Sequence, residues 1–199
     1  MHTDTNSSPL PTMRRTLLIG LGAAALTFSP IQAQADTAAP SQEATSAADA
    51  STLGPDGYKS LELGMSEEEA LATGLITDRQ QVGDCTWFSL KKSEGEQNPG
   101  SGVVVSPDRG VVSIPGTQSL NTPEGITMGS VNNDKGSTTE QIENAYDVYT
   151  VDKTGPVPIY TAPAPGNSEA HYIFAIGDDD RAKDLGLTAD DDGGCGLND

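Results

Sequence analysis

The sequence predicts an α+β fold of two related halves, each a short helix followed by about three antiparallel strands. Three observations lead there. Leu61-x-Leu63-Gly64-Met65-Ser66 in the first half is echoed by Ile126-x-Met128-Gly129-Ser130 in the second. A helix-start spacing of small polar residue and acid follows each opening. Beyond each helix the apolar period shortens to that of strands, with Gly, Pro and Asp turns between.

In the first half, Ser66 and Glu69 stand at the spacing of a capping box, and Glu67, Glu68 and Glu69 fall in the first turn, where the helix dipole favours negative charge. Ala70 and Leu71 supply a short apolar face and Gly74 a stop. The segment from Cys85 to Lys92 alternates, with Thr86, Phe88 and Leu90 on one face and Cys85 and Trp87 on the other. Gly102 to Ser106 and Gly110 to Ile114 flank Pro107-Asp108-Arg109, which predicts a β-hairpin.

The second half repeats the capping spacing at Ser137 and Glu140, followed by Ile142, Ala145, Tyr146 and Tyr149. Val157 to Tyr160 and Ala170 to Ile176 read as strands. A turn at Gly177-Asp178-Asp179-Asp180 leads into Arg181 to Thr188, giving a second hairpin. Asn132 to Ser137 reads as a loop insert and Pro163 to Asn167 as a turn.

Ahead of these elements, Arg14-Arg15 precedes an uncharged apolar run from Thr16 to Phe28, then Ser29-Pro30 and Ala33-Gln34-Ala35. That order predicts a secretory signal peptide over 1–35, cleaved after Ala35, with Met13 as the true start. The run is shorter than the roughly 20 residues of a spanning helix. Paired arginines leave general and twin-arginine export both open. Residues 36–52 are Ala, Ser, Thr, Pro and acidic residues, a composition that predicts a disordered linker. The domain then spans 53–199, with halves of about 53–118 and 119–199. The predicted location is secreted, extracellular or cell envelope.

The chain has 11 Lys and Arg against 29 Asp and Glu, a net charge of −18. Such a charge repels nucleic acid and anionic lipid and favours a basic partner. The only two cysteines, Cys85 and Cys195, read as one disulfide in an oxidising compartment.

Catalytic signatures are sparse, and no catalytic residue is assigned. His171 lies in an alternating strand beside Glu169 and Tyr172 and is the one candidate centre for a hydrolase. No G-x-S-x-G elbow or phosphate-binding glycine loop accompanies it, and no cofactor is expected. Asp190 and Asp192 faintly resemble a calcium loop without its full spacing, and are the candidate cation ligands. Trp87, Phe88 and Tyr172 are the candidate contacts for a protein partner, with Trp87 also placed to pack on the disulfide.

"LELGMSEEEALATG" from Leu61, the Cys85 strand, the "VSPDRGVVSI" hairpin and "TPEGITMGS" from Thr122 together resemble a group of actinobacterial secreted proteins of unassigned activity. More distantly, the Gly-Met-Ser opening and short helix resemble the BamE (SmpA/OmlA) and beta-lactamase inhibitory protein type of module. That resemblance implies helix-plus-sheet units that bind proteins. The chain departs from BamE in having no lipid-anchor cysteine. It departs from the inhibitory protein in placing its cysteines in different halves. The expected function is therefore non-enzymatic, extracellular or envelope protein binding, inhibitor-like in form, through a sheet face or inter-half groove. A small hydrolase centred on His171 and a cation-binding acidic envelope protein are the alternatives.

Overall fold

The computed structural model describes residues 51–130 and 135–197. The leader, nearly all of the expected linker and part of the Asn132 to Ser137 insert lie outside the described residues. Two residues assigned to the linker are paired: Asn121 donates its N–H to the Ser51 carbonyl at 3.0 Å, and Thr52 bridges Asn121.

A small antiparallel pair, β1 (Gly57–Tyr58) and β2 (Leu61–Glu62), leads into α1 (Glu67–Ala72). Four strands follow: β3 (Ile76–Val82), β4 (Cys85–Leu90), β5 (Val103–Ser106) and β6 (Gly110–Pro115). Then comes α2 (Thr139–Ala145), with four more: β7 (Thr150–Asp152), β8 (Ile159–Pro163), β9 (Ala170–Ile176) and β10 (Ala182–Ala189). Strands β3 to β10 make one eight-stranded antiparallel sheet in the order β3-β4-β5-β6-β10-β9-β8-β7. The α+β class is as the sequence predicts, with one more strand after each helix than expected. The two unexpected strands, β3 and β7, lie at the sheet's ends. Edge strands carry polar, exposed residues, so their apolar alternation is weak.

Helix α1 starts as its residues predict. The Ser66 side chain accepts from the Glu69 N–H, and the Glu69 carboxylate accepts from the Ser66 N–H at 2.9 Å. Helix α2 corrects the expectation by one residue. Its box is Thr138 with Gln141, not Ser137 with Glu140. The Ser137 hydroxyl is committed elsewhere, accepting from the Thr127 N–H at 3.1 Å, and Ser137 is buried. The overlapping S-x-x-E and T-x-x-Q spacings are equally good on paper, and tertiary contacts chose between them.

Both helices cover the same side of the sheet. Ala70 of α1 and Ile142 of α2 join Phe88, Val103, Ile114, Tyr172, Phe174 and Leu187 in one buried core. Tyr146, just past α2, packs at 5.8 Å from Phe174 between ring centroids and donates to the Thr122 hydroxyl at 3.0 Å. Alternation sends the intervening side chains to the opposite face. There, a smaller cluster gathers Cys85, Val104 and Val112, with Trp87, Ala189, Cys195 and Leu197 against it. Among the described residues, neither helix contributes to that second face.

Candidate functional site

The second sheet face is shaped by side-chain size. The adjoining strands β6 and β10 present Ser113, Gly186 and Thr188, all small. Trp87 from β4 stands on one side of them, and Ile173 and Ala175 from β9 and Ile159 from β8 on the other. Small residues between large ones leave a trough, with a hollow of roughly 210 Å³ beside Trp87.

One end of the hollow is closed by the loop before β5. Gln97 ties this loop down, accepting from the Leu90 N–H at 2.9 Å and donating to the Ser101 carbonyl at 2.6 Å. Gly102 permits the close approach, since a Cβ there would stand 2.9 Å from the Phe88 carbonyl oxygen and 3.2 Å from the Trp87 ring. Ser101 then donates its hydroxyl to Asp184 Oδ2 at 2.6 Å, and the Leu185 N–H donates to Oδ1 at 3.0 Å. Burial holds the Asp184 carboxyl above its ordinary range, and these hydrogen bonds only partly offset that. The indole Nε1–H of Trp87 is buried without an acceptor among the described residues.

The opposite boundary is the C-terminal segment. The disulfide joins Cys85 to Cys195, as the cysteine count predicts, with 5.8 Å between Cα atoms. Asp192 folds the segment on itself, accepting from the Gly194 N–H at 2.9 Å and the Leu197 N–H at 2.7 Å. Arg109 pairs with Asp191. Leu197 is thereby set against the sheet face, where it lines the hollow. It also lines a neighbouring groove together with Asp152, Thr161, His171 and Asp190.

The sequence-derived candidates separate on this geometry. Trp87 lies on the second face, which neither helix of the described residues covers. Phe88 and Tyr172 do not: strand alternation points them into the helix-covered core, where they are 2% and 0% exposed, and a partner cannot reach them. Tyr172 spends its hydroxyl on the Leu53 carbonyl at 3.0 Å.

Asp190 and Asp192, the candidate cation ligands, each hold partners within the protein. Asp190 accepts from His171 Nδ1 at 2.8 Å, while Asp192 accepts from the Gly194 and Leu197 N–H groups. Among the described residues, no group of three or more His, Cys, Asp or Glu side chains is arranged to hold a metal ion. His171 has Asp190 as its side-chain hydrogen-bond partner, and no hydroxyl nucleophile is bonded to the ring among the described residues.

Sequence reading missed Asp184, Ile159, Ile173 and Leu197. Ile173 was within reach, because the alternation of Ala170 to Ile176 sets His171, Ile173 and Ala175 on one face. Asp184 was masked by a register shift in β10 between Ala182 and Asp184, which breaks the strand period.

No helix among the described residues is long and apolar enough to cross a membrane. No protein-family model, no curated protein and no solved structure matches the chain.

Proposed function

We propose that this chain is an exported protein-binding domain, inhibitor-like in form, that engages its partner through the uncovered face of the eight-stranded sheet. The observation that carries the reading is the one-sided helix layer. Trp87, Ile159, Ile173 and Leu197 line the other face only partly buried, diluted by Ser113, Thr161 and Gly186. A face that was half of a core would be more uniformly apolar, and one meant for water would carry more charge. Mixed aromatic, aliphatic and small polar residues around a shallow hollow suit a protein interface. The leader and the disulfide support export into an oxidising compartment. The relatedness of the halves is part of the same proposal. A helix followed by four strands occurs twice, and the strand order is symmetrical about the β6–β10 seam.

The test is affinity capture with the folded protein immobilised, using culture medium and envelope extract of the source organism. Ile173→Asp alters the uncovered face, whereas Leu71→Asp alters an exposed position on α1. A partner retained by the wild type and by Leu71→Asp but lost with Ile173→Asp is the expected result, provided thermal unfolding shows both variants folded. Retention indifferent to Ile173→Asp, or sensitive to Leu71→Asp instead, overturns the assignment of the face.

A further inference from the structure

We infer that the hollow beside Trp87 receives an arginine side chain from the partner, its guanidinium reaching the Asp184 carboxylate. This inference rests on the protein-binding reading and adds the chemistry that the face recognises.

Size is the first argument. A hollow of roughly 210 Å³ holds the volume of about seven liquid waters. That suits one long side chain and falls below the roughly 300–1,000 Å³ of clefts that bury whole small ligands. Charge is the second. Asp184 lines the hollow, and Asp152 and Asp190 line the adjoining groove, while neither is lined by a lysine or an arginine among the described residues. The grooves around Arg109, by contrast, contain that cation. The acids of the hollow and its adjoining groove thus share their linings with no lysine or arginine among the described residues, and charge complementarity selects a basic segment.

The third argument is the state of Asp184 itself. Every strong ion pair among the described residues involves another acid, and Asp184 has only neutral donors: the Ser101 hydroxyl, the Leu185 N–H and the Asn98 amide. Burial raises its pKa, as expected of a carboxylate that lacks a cation. These three donors fill three of the carboxylate's roughly four lone-pair sites, so one remains to accept a guanidinium N–H while the existing bonds persist. The indole of Trp87 lines the same hollow, and a flat guanidinium stacks on an aromatic ring better than an ammonium does.

Trp87 is the only tryptophan, so its fluorescence reports on the hollow directly. The probe is a blocked Gly-Arg-Gly tripeptide, compared with its citrulline counterpart, which keeps the shape and loses the charge. The arginine peptide should give a saturable change in emission, with citrulline binding about tenfold weaker or worse. Asp184→Asn should weaken the arginine peptide by a similar ~10-fold. Gly186→Val should block it by filling the trough, since a Cβ at Gly186 meets nothing closer than 3.7 Å and the strand can carry it. Equal binding of the two peptides by the wild type overturns the inference without recourse to any variant, as does the absence of any response to the arginine peptide. A captured partner lost with Ile173→Asp but kept by Asp184→Asn also overturns it, and leaves the protein-binding reading standing. Charge-dependent peptide binding in a protein that captures no partner supports the hollow's chemistry and counts against the protein-binding reading alone.

Discussion

Breaking the Cys85–Cys195 bridge by the paired change Cys85→Ser and Cys195→Ser tests the architecture most directly. The two cysteines are 110 residues apart in sequence, so the bridge closes most of the described domain into a single loop. Loop-closure entropy for a loop of about 100 residues is worth about 4.7 kcal/mol at 25 °C. Measured disulfides more often return about 2–4 kcal/mol, because the reduced unfolded chain keeps some compactness. A loss of about 2–5 kcal/mol is therefore expected. With a urea m-value of about 2 kcal/mol/M, this moves the unfolding midpoint down by about 1–2.5 M. The tail should respond first. Leu197 and Trp87 both pack on the cluster of Cys85, Val104 and Val112, so the variant's Trp87 emission should already differ from the wild type before unfolding begins. Urea titration followed by circular dichroism gives the stability, and fluorescence gives the local change. A midpoint shift below about 0.5 M would refute the reasoning. So would alkylation of both cysteines in the unreduced, folded protein.

Two further outcomes follow from particular contacts. Thr138→Ala should cost about 1 kcal/mol by uncapping α2, while Glu140→Ala should stay within about 0.5 kcal/mol; denaturant midpoints for the pair decide between the overlapping boxes. Asp184→Asn should stabilise the protein at pH 7. Burial raises the folded-state pKa, so the native protein takes up the proton at a higher pH than the unfolded chain. The wild type's stability from this group is then fully present below the unfolded value near 3.9 and is lost as pH rises through the folded pKa. The variant's advantage should accordingly shrink on acidification, measured by unfolding between pH 7 and pH 4. An advantage that grows with falling pH would contradict the burial argument.

Most of the fold was legible because its signals are local. The Ser66–Glu69 box, the Pro107-Asp108-Arg109 turn and the alternation of Cys85 to Leu90 each act within a few residues, and the structure keeps all three. The cysteine pairing was legible for another reason: two cysteines allow one intramolecular bridge. What failed was information held by distant contacts. Nothing near Thr138 shows that Ser137 would be claimed by Thr127 across an insert. Nothing in β4 shows which of its two faces the helices would cover, so Trp87 and Phe88 both stood as candidate contacts for a partner. Neighbouring residues in a strand face opposite ways, and a helix layer on one side buries one and leaves the other available.

The same one-sidedness explains why the uncovered face has its composition. Helices of six and seven residues are short, and each buries a single side chain of its own, Ala70 and Ile142. They shield one side of the sheet with help from Leu53, Tyr58 and Tyr146, which leaves little to cover a second side. A second face of pure valine and isoleucine would invite aggregation. A second face of lysine and glutamate would stay wet and bind weakly. The chain takes a middle course. Its larger side chains stand on either side of small ones, the loop carrying Ser101 bounds one end through Asp184, and the disulfide fixes Leu197 at the other. The bridge that stabilises the fold is thus also a boundary of the hollow. Its removal should weaken both the fold and any recognition made there, whereas Gly186→Val should affect recognition alone. That contrast separates a binding face from a patch of surface that is merely left over.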